Sequence, residues 1–280
     1  MSGLACLVLA SCQAPEPAPA STSVRPTIVS LNPCSDAILA DVTAPGQLLA
    51  VSHFSHDPTS SSMGIAAARR FRSVSGSVEE VARLSPDIVV ADVFLPATTL
   101  QGLRDLGIRV VSVGMASSVE ASTAQVRQLA QAANRQAAGE RLVARIEQAL
   151  AAASPDHSEV AAPTIIWESG GIVAGDQTLI ADLLRRTGFV NAAAARGLGQ
   201  ADYLPLEAML ANPPRVILAT GNDLAQEDRL LAHPALAGLN DTHRFAIDTA
   251  LLWCGGPTIV RAAERLAAIR KALPPVKASS

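Results

Sequence analysis

The segment His53-Phe54-Ser55-His56-Asp57 places two imidazoles and a carboxylate within five residues, donor types that metal ions take. A zinc site needs three or four such ligands. The other histidines, His157, His233 and His243, lie far along the chain in unrelated contexts. No metal site is therefore read, and a place on the rim of a cleft suits the segment better. No Gly-x-Ser-x-Gly elbow, Gly-x-x-x-x-Gly-Lys phosphate loop or His-Glu-x-x-His helix occurs, so no catalytic apparatus and no resident cofactor are legible. The pairs Gly170-Gly171 and Gly255-Gly256 stand alone and read as turn glycines.

Aromatic side chains are scarce, with two Trp, one Tyr and five Phe, so their positions carry information. Phe54 and Phe94 follow predicted strands, and Trp167 ends another. Trp253 stands in the loop before the last predicted helix, and Tyr203 lies just ahead of Glu207. Open parallel sheets gather ligands beyond the carboxyl ends of their strands. As a set these residues predict a wide apolar cleft for a large flat or ring-shaped ligand. Each alone is more often a packing residue than a ligand contact.

The elements that must position them alternate. Short β-branched runs (27–31, 48–52, 87–91, 109–113) interleave with helical stretches, the mark of an α/β chain with parallel strands. Asn32-Pro33 after the first run is a helix cap followed by proline at the first helical position. Residues 118–153 lack strand signals, and Val126, Leu129, Leu142, Ile146 and Leu150 recur at helical spacing. This predicts two helices broken near Asn134, the second long. A polar, proline-bounded break follows. The α/β pattern then restarts with strands at 164–167, 215–219 and 244–247, a helix at 178–186 and a last helix at 258–273.

The chain has 280 residues, 49% hydrophobic and 17% charged, with net charge −3. That suits an ordered chain of one large or two medium domains and offers no concentrated basic surface for nucleic acid. Leu4 to Ala10 is an apolar run too short to span a bilayer. It ends in Leu9-Ala10-Ser11-Cys12, which resembles the bacterial lipoprotein box, although no Lys or Arg precedes Arg25. The division expected is a lipoprotein signal at 1–12 with lipidation at Cys12 and a flexible Pro/Ala/Ser tether at 13–25. An N-terminal α/β lobe at 26–117, a helical segment at 118–154 and a C-terminal α/β lobe at 155–280 follow. Two cysteines, Cys34 and Cys254, remain in the folded body, both at the predicted cleft end. In an oxidising compartment they would pair if their Cα atoms came within roughly 4.4–6.8 Å; free thiols are the alternative.

One repeat supports two lobes of similar build. Val78-Glu79 to Pro86 and Leu206-Glu207 to Pro214 each place a glutamate seven residues before a proline and run into a strand. The motifs Ile28-Val29-Ser30-Leu31-Asn32-Pro33, Leu49-Ala50-Val51-Ser52, Ser77 to Val81 and Leu84 to Ala91 together resemble the helical-backbone solute-binding proteins of ABC importers. His233-Pro234-Ala235-Leu236 and Leu252 to Pro257 are similar to one branch of that family. The resemblance runs from about Arg25 to Leu273. It implies two Rossmann-like lobes with mainly parallel sheets, joined by a single long helix, and a ligand held in the cleft between them. It further implies a non-enzymatic protein of the periplasm or cell envelope. Its partners would be an ABC permease dimer with its ATPase subunits, and it would touch the membrane through a lipid anchor only. The ligand would be a cobalamin-like corrinoid, a ferric siderophore or haem. Arginine is sparse in the predicted ligand loops, which favours the corrinoid over an anionic siderophore. Asn32, Phe54, Phe94, Trp167, Tyr203 and Trp253 are the candidate ligand contacts. Glu79 and Glu207 are the candidate anchors on permease arginines, Glu80 being a possible substitute for Glu79.

Overall fold

The computed structural model describes residues 25–220 and 233–274. The expected signal segment, Cys12 and residues 13–24 of the expected tether lie outside them. The first lobe is a five-stranded, wholly parallel sheet of β1 (Ile28–Ser30), β2 (Leu48–Ser52), β3 (Arg72–Val74), β4 (Ile88–Asp92) and β5 (Arg109–Val113), in the order β3-β2-β1-β4-β5. Helices α1 (Pro33–Val42), α2 (Ile65–Ala68), α3 (Val78–Ala82) and α4 (Ala97–Asp105) connect the strands. Ile88, Val89, Val90 and Ala91 are all buried, as a central parallel strand covered on both faces requires. The Asn32 side chain accepts hydrogen bonds from the backbone N–H groups of Cys34 and Ser35 at 2.9 and 3.2 Å and starts α1 with Pro33 at its first position.

Two helices follow, α5 (Val119–Ala132) and α6 (Gln136–Ala153). The break between them is Asn134, whose φ of 53° is the left-handed conformation that asparagine tolerates better than most residues. Leu142, Val143, Ile146 and Leu150 form the buried stripe of α6. Gly139 lets α6 approach α5 closely: a Cβ there would lie 2.5 Å from the Ala130 Cβ.

The second lobe holds β6 (Ala162–Glu168), β7 (Ile172–Ala174), β8 (Phe189–Asn191), β9 (Ala201–Tyr203), β10 (Val216–Thr220) and β11 (His243–Ile247). Their order is β11-β10-β6-β7-β9, with β8 also on β6. β6, β8, β10 and β11 run parallel, whereas β7 is antiparallel to both β6 and β9. The helices are α7 (Leu179–Arg186), α8 (Leu206–Ala211), α9 (Pro234–Ala237) and α10 (Pro257–Ala272). The short strands β3, β7, β8 and β9 are additions to the sequence reading. Glu79 and Glu207 are the second residues of α3 and α8, both exposed, and β4 and β10 follow those helices.

The last helix returns to the first lobe. α10 packs on α6, α1 and α7. One core runs through Ile38, Leu39, Val126, Leu142, Ile146, Leu183, Ile259 and Leu266, so residues of both lobes share it. Among the described residues no helix is long and apolar enough to cross a membrane.

Candidate ligand-binding cleft

The strands β1, β2, β4 and β5 end on one side of the first sheet, and β6 and β11 bring their carboxyl ends to the same region from the second. Between them lies a notch open to solvent. Met115, Ala116 and Ser117, beyond β5, form one wall. Glu168 at the end of β6, Gln177 to Ile180 leading into α7, and Gln200 before β9 form the other. Leu252 and Trp253 complete it.

Of the six predicted contacts, Trp253 lines this notch, with 37% of its surface exposed. A covalent clamp positions it. Cys34, at the start of α1, is bonded to Cys254, with Cα atoms 4.9 Å apart across 220 residues of chain. Gly255 and Gly256 then thread between α5 and α1. A Cβ on Gly255 would lie 2.1 Å from Ser122 Oγ, and one on Gly256, at φ 62°, 2.4 Å from Ile38. These two are close-approach glycines rather than simple turn residues. The Gly256 N–H donates to Ser122 Oγ at 2.7 Å, and Thr258 Oγ1 donates to the Ser62 carbonyl at 3.1 Å. The loop that carries Trp253 is thus held by the opposite lobe.

Trp167 is a correction. It is 0% exposed and packs with Ile165, Val173, Met209 and Leu236 inside the second lobe. Side chains alternate along a strand, so at the end of β6 Trp167 turns into that core and Glu168 turns the other way, into the notch. Sequence reasoning missed Glu168, though the same alternation could have found it. One Glu168 oxygen, Oε1, is buried without a hydrogen-bond partner, and desolvation raises its carboxyl above the usual carboxylate range. Met115, Gln177 and Gln200 were missed as well, because nothing in their local sequence separates them from ordinary loop residues.

Phe54, Phe94 and Tyr203 are exposed, Phe94 the most at 78%, but do not line the notch. Asn32 is half-buried and its carbonyl oxygen is occupied as the α1 cap. The turn carrying Phe54 is fixed from below by Asp36, which accepts from the Ser52 N–H at 2.9 Å and the Ser55 hydroxyl at 2.6 Å. Burial drives the Asp36 carboxyl up to about 7. His56 Nε2 lies 3.1 and 3.2 Å from the carbonyl oxygens of Ala68 and Phe71. That ring nitrogen faces backbone rather than the cleft rim. Asp57 bonds Thr59 and Ser60. Among the described residues no group of His, Cys, Asp and Glu could hold a metal ion.

The family model described as "Periplasmic binding protein" matches residues 28–242. No curated protein matches the chain. Among solved structures, the periplasmic heme-binding protein HutB of Vibrio cholerae superposes with TM-score 0.71 at 22% identity, over 87% of this chain and 98% of that one. A periplasmic heme-binding protein from Pseudomonas aeruginosa gives 0.69 at 23%, over 91% and 96%. The periplasmic vitamin B12-binding protein BtuF of Vibrio cholerae gives 0.65 at 17%, over 89% and 99%. At these identities the likeness is one of fold. Together with the family match, it shows that this chain belongs to the periplasmic binding protein family, as a non-enzymatic solute-binding protein of the helical-backbone class.

Proposed function

We propose that this protein captures a cobalamin-like corrinoid in the inter-lobe cleft and delivers it to the permease of an ABC importer. The observation that carries the ligand assignment is the make-up of the notch. Trp253 and Met115 offer apolar contact, Gln177 and Gln200 offer amides, and among the described residues no Lys or Arg lines it. A ferric siderophore with carboxylates or catecholates would favour arginine forks, whereas a corrin ring with its fringe of primary amides needs none. Haem binding is the second reading. It is favoured by the exposed phenol of Tyr203, an axial-ligand type, and by what the two heme-binding neighbours are named for. Titration of the full chain in detergent, following tryptophan fluorescence, with cobalamin, haem and a ferric-siderophore panel separates the three. Tight binding of a siderophore alone would overturn the corrinoid assignment.

The delivery step rests on Glu79 and Glu207. Two lobes meeting a two-fold permease need equivalent anchors, and these exposed carboxylates sit at the same position of equivalent helices. Glu80 is drawn away by the Ser75 N–H and hydroxyl, both 2.6 Å from its Oε2, which leaves Glu79 the better anchor. Such charge pairs chiefly set orientation and encounter rate. The double variant Glu79→Arg with Glu207→Arg should bind ligand normally and lose uptake; normal uptake would sink the docking role. The lipid anchor at Cys12 is tested by palmitate labelling, which Cys12→Ser should abolish.

A further inference from the structure

We propose that Glu168 is the specificity-determining residue of the cleft, a hydrogen-bond acceptor that selects ligands whose inserted edge offers N–H donors and carries no negative charge. The inference rests on the corrinoid reading for the natural ligand but not for its test. Its grounds are three. The first is placement: Glu168 ends β6, the strand between β7 and β10, and the Gly170-Gly171 turn immediately reverses the chain into β7. The carboxylate is therefore fixed on a sheet rather than carried on a loop, the setting in which a recognition group is held most precisely.

The second ground is its unmet hydrogen bonding. Oε1 is buried and unpartnered, and among the described residues no cation forms an ion pair with Glu168. A buried acceptor without a donor costs free energy, and in a folded protein such a group calls for an explanation. Here the missing donor belongs to the ligand. Desolvation alone raises this carboxyl, so the protein itself supplies nothing that stabilises its charge. The third ground is the surroundings. The rest of the described lining is apolar, amide or hydroxyl, so among those residues Glu168 is the one that can carry charge. Haem propionates or siderophore carboxylates would meet a like charge whenever Glu168 is ionised, whereas primary amides would donate to it.

The experiment uses the full chain in detergent, titrated with dicyanocobinamide, haem and haem dimethyl ester. The last two share one macrocycle and differ in the two carboxylate charges. The wild type should bind the dimethyl ester at least tenfold more tightly than haem. Glu168→Gln and Glu168→Ala should both erase that preference. Glu168→Ala should weaken dicyanocobinamide at least tenfold, and Glu168→Gln, which keeps an acceptor, by less. Melting temperature separates recognition from a structural role: it should hold or rise in both variants, because an unpartnered carboxylate is removed. Absence of dicyanocobinamide binding with the ester-over-haem preference intact would overturn the corrinoid reading and leave the role of Glu168 standing. Equal wild-type affinity for haem and its ester, a preference that survives Glu168→Ala, or no binding of any of the three would overturn the role itself.

Discussion

The two lobes meet the cleft in different ways. In the first, every strand is parallel, so each one that reaches the cleft hands over to a loop there: Phe54 follows β2, Val93 and Phe94 follow β4, and Met115 follows β5. All four side chains are exposed. In the second, β6 folds back on itself through Gly170 and Gly171, and β7 leaves the cleft instead of arriving at it. That face presents Glu168, Gln177 and Gln200. An all-parallel sheet offers a row of loops that can be filled with apolar groups, while a reversed strand fixes a polar side chain in the sheet. The first lobe thus carries its apolar groups on loops beyond the strand ends, Met115 among them in the notch, whereas the second adds Glu168 and two amides to the apolar Leu179, Ile180, Leu252 and Trp253.

Three experiments test that division. The largest effect should come from the clamp. Replacing Cys34 and Cys254 by serine removes a cross-link spanning 220 residues, worth about 5 kcal/mol on the chain-entropy account. Thermal or denaturant unfolding measures it, and a loss below roughly 1 kcal/mol would mean that packing alone holds the lobes together.

Next is Asp36, beneath the Phe54 turn. Its carboxyl is raised to about 7 by burial, against 3.8 normally. Well below the normal 3.8 both folded and unfolded chains carry the proton and no penalty exists. As pH rises toward 7 the unfolded chain ionises first, so this group withdraws stability, on the order of 4 kcal/mol by pH 8. Asp36→Asn should therefore gain on the wild type as pH rises from 5 to 8. A constant difference between their melting temperatures would refute the buried acid.

The smallest effect separates the two tryptophans. Trp253→Ala should weaken ligand binding more than tenfold, about 1.4 kcal/mol, in a folded protein. Trp167→Phe should leave affinity within twofold, since that ring belongs to the core. The reverse outcome would exchange their roles.

How far the sequence reached follows from what each signal encodes. The buried central strands β1, β2, β4, β6 and β10 are legible because their runs of Val, Ile, Leu and Ala suit burial on both faces. Strands β3, β7, β8 and β9 have three residues each, and β9 is exposed throughout, so neither length nor period marks them. At the site, Trp253 could be placed from its loop. Trp167 could not, because a strand end offers two faces one residue apart, and the choice depends on which face the neighbouring helices cover. Once Trp167 is assigned to the core, alternation gives Glu168 the other face, but the tightness around Gly255 and Gly256 depends on α1 and α5, more than a hundred residues away.

The return of α10 has a consequence for modularity. The helix is made last, yet it covers α1, α6 and α7 and adds Ile259 and Leu266 to the core of both halves. A domain in the usual sense closes its own core and can be moved or expressed alone. Neither half of this chain does so. A fragment ending near residue 154 would leave Ile38 and the buried stripe of α6 open to water, and a fragment starting there would lack the surface on which α10 lies. For engineering, the exchangeable unit is the whole body from β1 to α10: a graft of one lobe from a relative must bring a compatible last helix with it.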